Sequence, residues 1–281
     1  MRIAYVTNNA SRPPALVADR LTGLGIPADP LEVVTSAQAA ARVLGEQLTP
    51  GGVVLVVGTS ALSDEVRRVG FEPVHALGEA AGRPVAAVVQ GLSPDTCQRD
   101  LADAAVALRS GALWIAANTD LTLPSTRGPL PGNGAFVAVL RMITGLEPLV
   151  AGKPDPALHR ESVERVGARA PLVVGDRLDT DVLGAVRGGS DSLLVLTGVT
   201  DRAALLAAPA GSRPTYVATD LRGLSEPHPQ VEVDGERARC RSAVATCTDG
   251  RIVVEGAGDD ALRAEVGLTW ALTDAGLLPT G

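Results

Sequence analysis

The chain alternates between short uninterrupted apolar segments and longer segments in which apolar residues recur every three or four positions. The apolar segments are rich in valine, leucine and alanine, as expected for strands buried on both faces of a parallel sheet. The segments between them predict helices, several of which begin at proline or end before glycine. Strands are predicted over 2–6, 53–58, 84–91, 112–118, 170–176, 192–198 and 214–224, and helices over 13–25, 37–48, 63–70, 97–110, 135–145, 156–167 and 180–188. This alternation predicts an α/β fold with parallel sheets.

Two regions differ from this regular pattern. The segment 118–134 is a loop rich in proline and glycine, long enough to suggest a functional role. The tail, 226–281, predicts a hairpin formed by VEVDGERARC and GRIVVEG, followed by a helix over 259–276. No motif in the tail suggests a function, and we leave open whether it is an appended subdomain or a pairing surface.

The composition narrows the class of partner. The net charge of −7 and the 2% aromatic content argue against nucleic acid or an anionic membrane as the main partner. No apolar segment approaches the length of a membrane span, and Met1 leads directly into a predicted strand rather than a signal peptide. The three cysteines lack metal-binding spacing, which favours free thiols. We therefore expect a cytoplasmic protein.

The sequence PLVVGDRLDTD places acids where a parallel strand ends. Asp176 follows the predicted strand, and Asp181 lies at the start of the next predicted helix. Ligands of α/β proteins bind outside the carboxyl ends of strands, and few protein carboxylates are needed to hold Mg²⁺. Alternatively, Asp179 and Asp181 are acids at a helix N-terminus, favoured there by the helix dipole.

The sequence TNN follows the first predicted strand. Thr7 offers a hydroxyl, and the turn after it offers backbone N–H groups that can bind phosphate. The alternative is ordinary turn and helix-capping chemistry.

Lys153 is the only lysine, since the other 24 basic residues are arginines. An ammonium is a compact point charge, whereas a guanidinium is a wide planar fork. A site between a phosphate and a carboxylate would favour the smaller cation. The alternative is that one lysine remained by chance in an arginine-rich chain.

Thr7, Lys153 and Asp176 occur in this order, and we expect them at the same edge of one parallel sheet. Four motifs, TNNASR, VVTSAQAAA, GKPDPALH and GDRLDTD, resemble the haloacid dehalogenase (HAD) superfamily of phosphohydrolases. They resemble most its subfamily IIA, which holds p-nitrophenyl phosphatases, phosphoglycolate phosphatases and actinobacterial glycerol-3-phosphate phosphatases. The resemblance covers residues 1–225.

The resemblance implies a Rossmann-like parallel-sheet core interrupted by an α/β cap of the C2 type. The core would comprise 1–49 and 148–225, the cap 50–147, and a small appendage 226–281. A homodimer, if one forms, would pair through the cap. The partner would be a small phosphorylated metabolite.

The resemblance also implies residue roles. Thr7 would hydrogen-bond the transferring phosphoryl group, and Lys153 would neutralise it. Asp176 would bind Mg²⁺, with Asp181 supporting it from behind. The reaction would be a two-step displacement through an aspartyl phosphate.

Substrate contacts follow from the same resemblance. Asn8 and Asn9 would lie beside the substrate, and the loop 118–134 would close over the leaving group. Leu123 stands where relatives that act on pyridoxal phosphate carry a histidine that contacts the ring. This favours a small polyol or acid phosphate, such as glycerol 3-phosphate, over a pyridoxal ring.

The sequence departs from the family in one respect: it contains no Asp-x-Asp-Gly, the motif that carries the nucleophile and the general acid. The first core strand would be missing with it. Either the natural protein begins upstream of Met1, or the chain is catalytically dead and only binds a phosphometabolite. We expect the first, because selection would not keep Thr7, Lys153 and Asp176 in a core without its nucleophile. A nucleotide-binding oxidoreductase has little support, since no G-x-G-x-x-G follows the first strand.

Overall fold

The structure is a computed structural model that describes residues 2–123 and 125–278. Its internal contacts divide the chain into two compact units, one ending at Arg169 and the other beginning at Ala170. The division into core, cap, core and appendage stays a prediction. The loop expected over 118–134 is described except for residue 124.

The first unit contains six α-helices and nine strands among its described residues. The helices are α1 (Pro14–Gly23), α2 (Ser36–Gln47), α3 (Ser60–Arg68), α4 (Gln98–Arg109), α5 (Asn133–Thr144) and α6 (Pro156–Val166). The strands are β1 (Tyr5–Thr7), β2 (Val33–Thr35), β3 (Val53–Val57), β4 (Glu72–Val74), β5 (Val85–Gln90), β6 (Leu113–Ala116), β7 (Thr122–Leu123), β8 (Leu130–Pro131) and β9 (Leu149–Val150). Every helix predicted within this unit is present, with ends shifted by up to three residues.

A five-stranded parallel sheet forms the centre of the first unit, in the order β4-β3-β5-β6-β9. Successive residues of a strand face opposite sides of the sheet. In β3, Val54 and Val56 therefore pack with α2 and α3, while Leu55 packs with α4 and α5 on the other side. Both faces are covered, which confirms the interpretation of the apolar segments as doubly buried strands.

A smaller sheet carries the TNN motif. Strands β1 and β2 are parallel, and their register pairs Thr7 with Thr35 at the carboxyl ends. Thr35 caps α2: its Oγ1 accepts the Gln38 N–H at 3.4 Å, and the Gln38 Oε1 accepts the Thr35 N–H at 3.0 Å. The helix predicted over 37–48 is confirmed, and it begins one residue earlier, at Ser36.

The second unit combines a parallel and an antiparallel sheet. Its elements are β10 (Leu172–Gly175), α7 (Leu183–Arg187), β11 (Asp191–Val195), α8 (Arg202–Leu206), β12 (Tyr216–Ala218), β13 (Glu232–Asp234), β14 (Arg237–Cys240), β15 (Ala243–Thr248), β16 (Arg251–Glu255) and α9 (Gly258–Asp274). The parallel sheet has the order β10-β11-β12. The strand predicted over 214–224 is shorter than expected, because a 3₁₀ helix replaces it from Leu221 to Ser225.

The tail is a four-stranded antiparallel meander, β13-β14-β15-β16, rather than the predicted single hairpin. Two Asp-Gly turns connect strand pairs, with Gly235 at φ 56° and Asp249 and Gly250 at 49° and 73°. The sequence pattern does not indicate β15, because its inward residues are small alanines and a cysteine instead of β-branched residues. Leu262 and Val266 of α9 share a core with Leu194 and Val217, so the tail packs on the parallel sheet of its unit.

The structure bears on two expectations, that no segment spans a membrane and that the cysteines are free thiols. No helix in the described part is both long and apolar enough to cross a membrane. The three cysteines are free: Cys97 is exposed, and Cys240 and Cys247 are buried. The prediction of free thiols is confirmed.

Candidate functional site

Thr7 presents its hydroxyl at the carboxyl end of β1. Its Oγ1 accepts a hydrogen bond from the Asn9 backbone N–H at 3.1 Å. A threonine oxygen that accepts in this way keeps its own hydrogen for donation. Thr7 can therefore donate to an anionic oxygen placed at the strand end.

Asn9 shapes the turn after Thr7. Its Oδ1 accepts the backbone N–H groups of Ser11 and Arg12, both at 3.0 Å. This is the Asx-type turn that the alternative interpretation of TNN requires. A contact between Asn9 and substrate stays a prediction.

Asn8 faces Lys153 rather than solvent. Its Oδ1 accepts the Lys153 N–H at 2.7 Å, and its Nδ2 donates to the Lys153 backbone oxygen at 3.1 Å. Gly152 makes this approach possible, because a Cβ at that position would lie 2.8 Å from the Asn8 Oδ1. Close packing against the TNN loop therefore explains why the GKP motif has a glycine at position 152.

The Lys153 ammonium lies beside β1. Its Nζ donates to the Val6 backbone oxygen at 3.5 Å, and Val6 directly precedes Thr7. The structure therefore brings Thr7 and Lys153 together, as the sequence predicted. A hydroxyl donor next to a half-buried cation is suited to a phosphate group.

Ion pairs hold α6, the helix that follows Lys153, against α2. Arg42 of α2 contacts Glu161 at 3.2 Å and Glu164 at 2.5 Å. The pKa of Arg42 is raised by its hydrogen bond to Glu164 and by its other glutamate partners. Arg165 of α6 donates to the Val33 backbone oxygen at 2.9 Å, which ties the helix to β2 as well. These contacts fix where Lys153 enters the site.

In the second unit, Asp176 directly follows β10. Its Oδ2 accepts the Val199 N–H at 2.7 Å, and its backbone oxygen accepts the Thr200 N–H at 3.0 Å. A Cβ on Gly198 would lie 2.0 Å from the Asp176 Oδ2, so only glycine leaves room for the carboxylate. The loop after β11 thus orients the Asp176 side chain.

Asp181 supports the same strand end from a buried position. It lies in a π-helical turn, Leu178–Val182, and its Oδ2 accepts the Arg177 N–H at 3.2 Å. A Cβ on Gly175 would lie 2.4 Å from the Asp181 carboxylate, so Asp181 packs directly against the end of β10. We predicted Asp181 at a helix start, and the π turn, a feature common at functional sites, takes that place.

Asp179 behaves as a structural acid. Arg177 donates to its Oδ1 at 2.9 Å through Nε and to its Oδ2 at 2.7 Å through Nη2. These hydrogen bonds lower the pKa of Asp179. Asp179 lies in the first turn of the π helix, which supports for this residue the alternative of an acid at a helix N-terminus.

Asp176 is the candidate ligand for a metal ion in the second unit. The Oδ1 of Asp176 accepts no hydrogen bond from the described residues, which makes it the oxygen that could hold a cation. Within the described ranges, no group of three or more acids, histidines or cysteines is arranged so that it could hold a metal ion. One oriented carboxylate suits Mg²⁺, which keeps several waters and takes substrate phosphate oxygens as ligands. The residues present therefore fit magnesium.

The predicted residues fall into two clusters. Thr7, Asn8, Asn9 and Lys153 lie together in the first unit, and Asp176 and Asp181 both lie at the end of β10 in the second. The expectation of one common sheet is wrong for the described residues, because β1 and β10 belong to separate hydrogen-bonded sheets and no described strand pairs with both.

Sequence reasoning missed two residues that shape these clusters. Asp120 accepts from the Asn8 Nδ2 at 3.2 Å and 3.3 Å, and Gly198 lies against Asp176. Asp120 lies in the predicted loop 118–134, but its partner Asn8 is 112 residues away in the sequence. No local pattern could have indicated either contact.

Comparisons with known proteins identify the family of this chain. A family model described as haloacid dehalogenase-like hydrolase matches residues 1–72, and a second model of HAD-like hydrolases matches residues 150–224. The D-glycerol 3-phosphate phosphatase of Mycobacterium tuberculosis is 51% identical over 261 residues, which cover 89% of this chain and 71% of that protein.

Solved structures show the same fold. The glycerol phosphate phosphatase of M. tuberculosis, crystallised with magnesium, has a TM-score of 0.82 at 47% identity, covering 96% of this chain and 81% of the other. A double mutant of the thermostable NPPase from Geobacillus stearothermophilus has a TM-score of 0.68 at 35% identity, covering 76% and 82%. With TNN, GKP and GDRLDTD placed at their strand ends and these relatives beside them, this chain belongs to the phosphatases of the haloacid dehalogenase superfamily, subfamily IIA.

Proposed function

We propose that the protein is a magnesium-dependent phosphomonoester hydrolase that acts on a small phosphorylated metabolite resembling glycerol 3-phosphate. The observation that carries the proposal is the Lys153 ammonium beside the strand that ends in the Thr7 hydroxyl. The 51% identity to a D-glycerol 3-phosphate phosphatase supports the reaction class and the substrate.

In this proposal Thr7 donates its hydroxyl hydrogen to a phosphoryl oxygen, and Lys153 compensates the negative charge of the phosphoryl group. Asp176 holds Mg²⁺ through Oδ1, while Val199 and Gly198 keep its carboxylate in place. The magnesium ion, when bound, stabilises charge on the phosphoryl oxygens. Asp181 packs behind the strand end and maintains its shape.

The proposal keeps the two-step displacement through an aspartyl phosphate that the resemblance implies. The 281 residues contain no Asp-x-Asp-Gly. The chain therefore contributes the groups around the phosphoryl oxygens, and the proposal assigns the nucleophile to none of its described aspartates.

Substrate choice rests on the loop that follows β6. Leu123, in β7, is 36% exposed and apolar, so it offers no hydrogen bond to a polar ring. Asn8 and Asn9 remain the proposed neighbours of the substrate. A compact ester such as glycerol 3-phosphate fits this proposal better than pyridoxal phosphate.

The test is phosphate release from glycerol 3-phosphate with magnesium, using the natural gene product purified from its own source. Lys153→Ala and Asp176→Asn should each lower kcat/KM by about 100-fold or more, since each removes electrostatic stabilisation of the transition state. Arg109→Ala and Asp19→Asn change exposed residues of α4 and α1 and should leave the rate unchanged. Full activity in either site variant would refute the proposal.

A second candidate is a binding protein on the same fold that senses a phosphometabolite without turnover. The absence of Asp-x-Asp-Gly from the sequence favours it. It predicts that the 281-residue chain binds glycerol 3-phosphate in a calorimeter and releases no phosphate, with binding lost in Lys153→Ala. Phosphate release that depends on Asp176 would exclude it.

We also propose that two copies pair through the segment we expect to be the cap. Helix α5 and the second residue after it expose an apolar stripe at helical spacing, formed by Val139, Met142, Ile143 and Leu146. Met142 is 83% exposed, the largest fraction in the stripe. Such a stripe is an ordinary helix–helix contact surface.

A further inference from the structure

The side-chain amide of Asn8 joins three parts of the first unit. It bonds to both backbone groups of Lys153, as described above, and its Nδ2 also donates to the Asp120 carboxylate. The Asn8 backbone oxygen accepts from the Ser36 Oγ at 2.5 Å and from the Asn118 Nδ2 at 2.8 Å. One residue therefore contacts the N-terminus of α2, the loop after β6 and the segment before α6.

The orientation of this amide follows from its partners. The Lys153 backbone oxygen and the Asp120 carboxylate only accept hydrogen bonds, so the atom facing them must be the nitrogen. The Lys153 N–H only donates, so the atom facing it must be the oxygen. An aspartate at position 8 would have the same shape. Its carboxylate only accepts hydrogen bonds, so it would face the Lys153 backbone oxygen and the Asp120 carboxylate without donating to either.

The loop that carries Asp120 is itself closely fixed. The Asp120 N–H donates to the Asn118 Oδ1 at 3.2 Å, and the Asp120 backbone oxygen accepts the Gly134 N–H at 2.9 Å. A Cβ on Gly132 would lie 2.2 Å from the Asp120 oxygen. The start of α5 thus packs onto the loop, and a displacement of Asp120 must be transmitted to both ends of the segment 118–134.

We propose that Asn8 is a positioning residue that couples the placement of Lys153 to the conformation of the loop 118–134. The Lys153 backbone is held through a side chain whose remaining hydrogen is used by Asp120. Movement of Asp120 away from Asn8 therefore loosens Lys153, and movement of Lys153 loosens the loop. For catalysis this inference rests on the proposed function, since it states how the phosphate-binding lysine and the substrate-facing loop act together.

The coupling can be measured without activity, by hydrogen exchange of the intact chain. Asn8→Asp should speed exchange in peptides from 118–134 by about tenfold, the effect of losing a hydrogen bond to a charged group. Adding Asp120→Asn supplies a donor for one of the two acceptor contacts of the new carboxylate and should return exchange part of the way to wild type. Exchange in α4 is the internal reference, and Asp19→Asn is the matched control for the second substitution.

Asn8→Ala provides a second variant in case Asn8→Asp does not fold. It removes both Lys153 contacts without adding charge and should also speed exchange in 118–134. If exchange in this loop is unchanged in the folded variants, or if the double substitution is additive instead of compensating, the coupling is refuted.

Turnover of p-nitrophenyl phosphate then tests the catalytic consequence. Asn8→Ala should lower kcat by about 10- to 100-fold with little change in KM, because the reacting groups are misplaced while ground-state binding persists. A fall confined to KM would mean that Asn8 contacts substrate and does not position Lys153. If the wild-type protein releases no phosphate, the proposed function fails, and hydrogen exchange still decides the coupling.

Discussion

Two glycines in the second unit make room for carboxylates. Gly175 allows Asp181 to pack against the end of β10, and Gly198 allows Asp176 to reach the Val199 N–H. Neither glycine has a positive φ. Their role is steric, since a Cβ at either position would overlap an acidic side chain.

Gly198→Ala should therefore weaken magnesium binding without removing any ligand. Displacement of the Asp176 carboxylate should lower the magnesium affinity, measured by calorimetry, by about tenfold or more, in the range typical for groups that orient a ligand. Gly211→Ala is the matched control, because nothing lies within 4 Å of a Cβ built there. Equal affinities in the two variants would contradict the role given to Gly198.

At the scale of elements, helix α6 follows Lys153 and contains a histidine with a shifted pKa. His159 is half-buried in this helix, and burial lowers its pKa below the ordinary 6.5. The folded protein therefore binds fewer protons at this group than the unfolded chain does. The contribution of His159 to stability is highest above pH 6.5, and it falls as the pH drops from there towards the lower pKa of the folded state.

Acidification from pH 7.5 to 5.5 should lower the melting temperature of the wild-type protein more than that of His159→Asn. The asparagine does not titrate, so the cost of burying a charged imidazole disappears. Differential scanning calorimetry at several pH values measures the two slopes. The two proteins should converge in slope above pH 7, and identical slopes over the whole range would show that His159 is not responsible.

At the scale of the whole molecule, the exposed stripe of α5 bears on assembly. Met142→Asp should convert a dimer to a monomer of about 28.7 kDa in light scattering after size exclusion, since a carboxylate in an apolar contact is costly to bury. Leu16→Asp changes a side chain of α1 that is 54% exposed and is the control. A wild-type protein that is monomeric at high concentration would refute pairing through this surface.

The sequence by itself determined the helices and the main strands of the α/β pattern, and it named the candidate residues for the chemistry. Proline, glycine and capping residues act within a turn of where they stand, so the helix limits over 13–25 and 156–167 were close to those observed. The apolar runs 53–58 and 84–91 identified doubly buried strands. Thr7 and Asp176 could be named because strand ends are recognisable locally. Lys153 could be named because it is the only lysine of the chain.

Only the tertiary structure decided what these residues touch. The place of Asn8 beside the substrate stays a prediction, and the contacts of its amide with Lys153 and Asp120, 145 and 112 residues away, are seen only in the structure. The strand β15 was missed because its packing against α9 uses small residues. Contacts over such separations depend on which faces of helices and sheets meet. Which faces meet depends on how the whole chain buries its apolar surface, and no local sequence pattern predicts it.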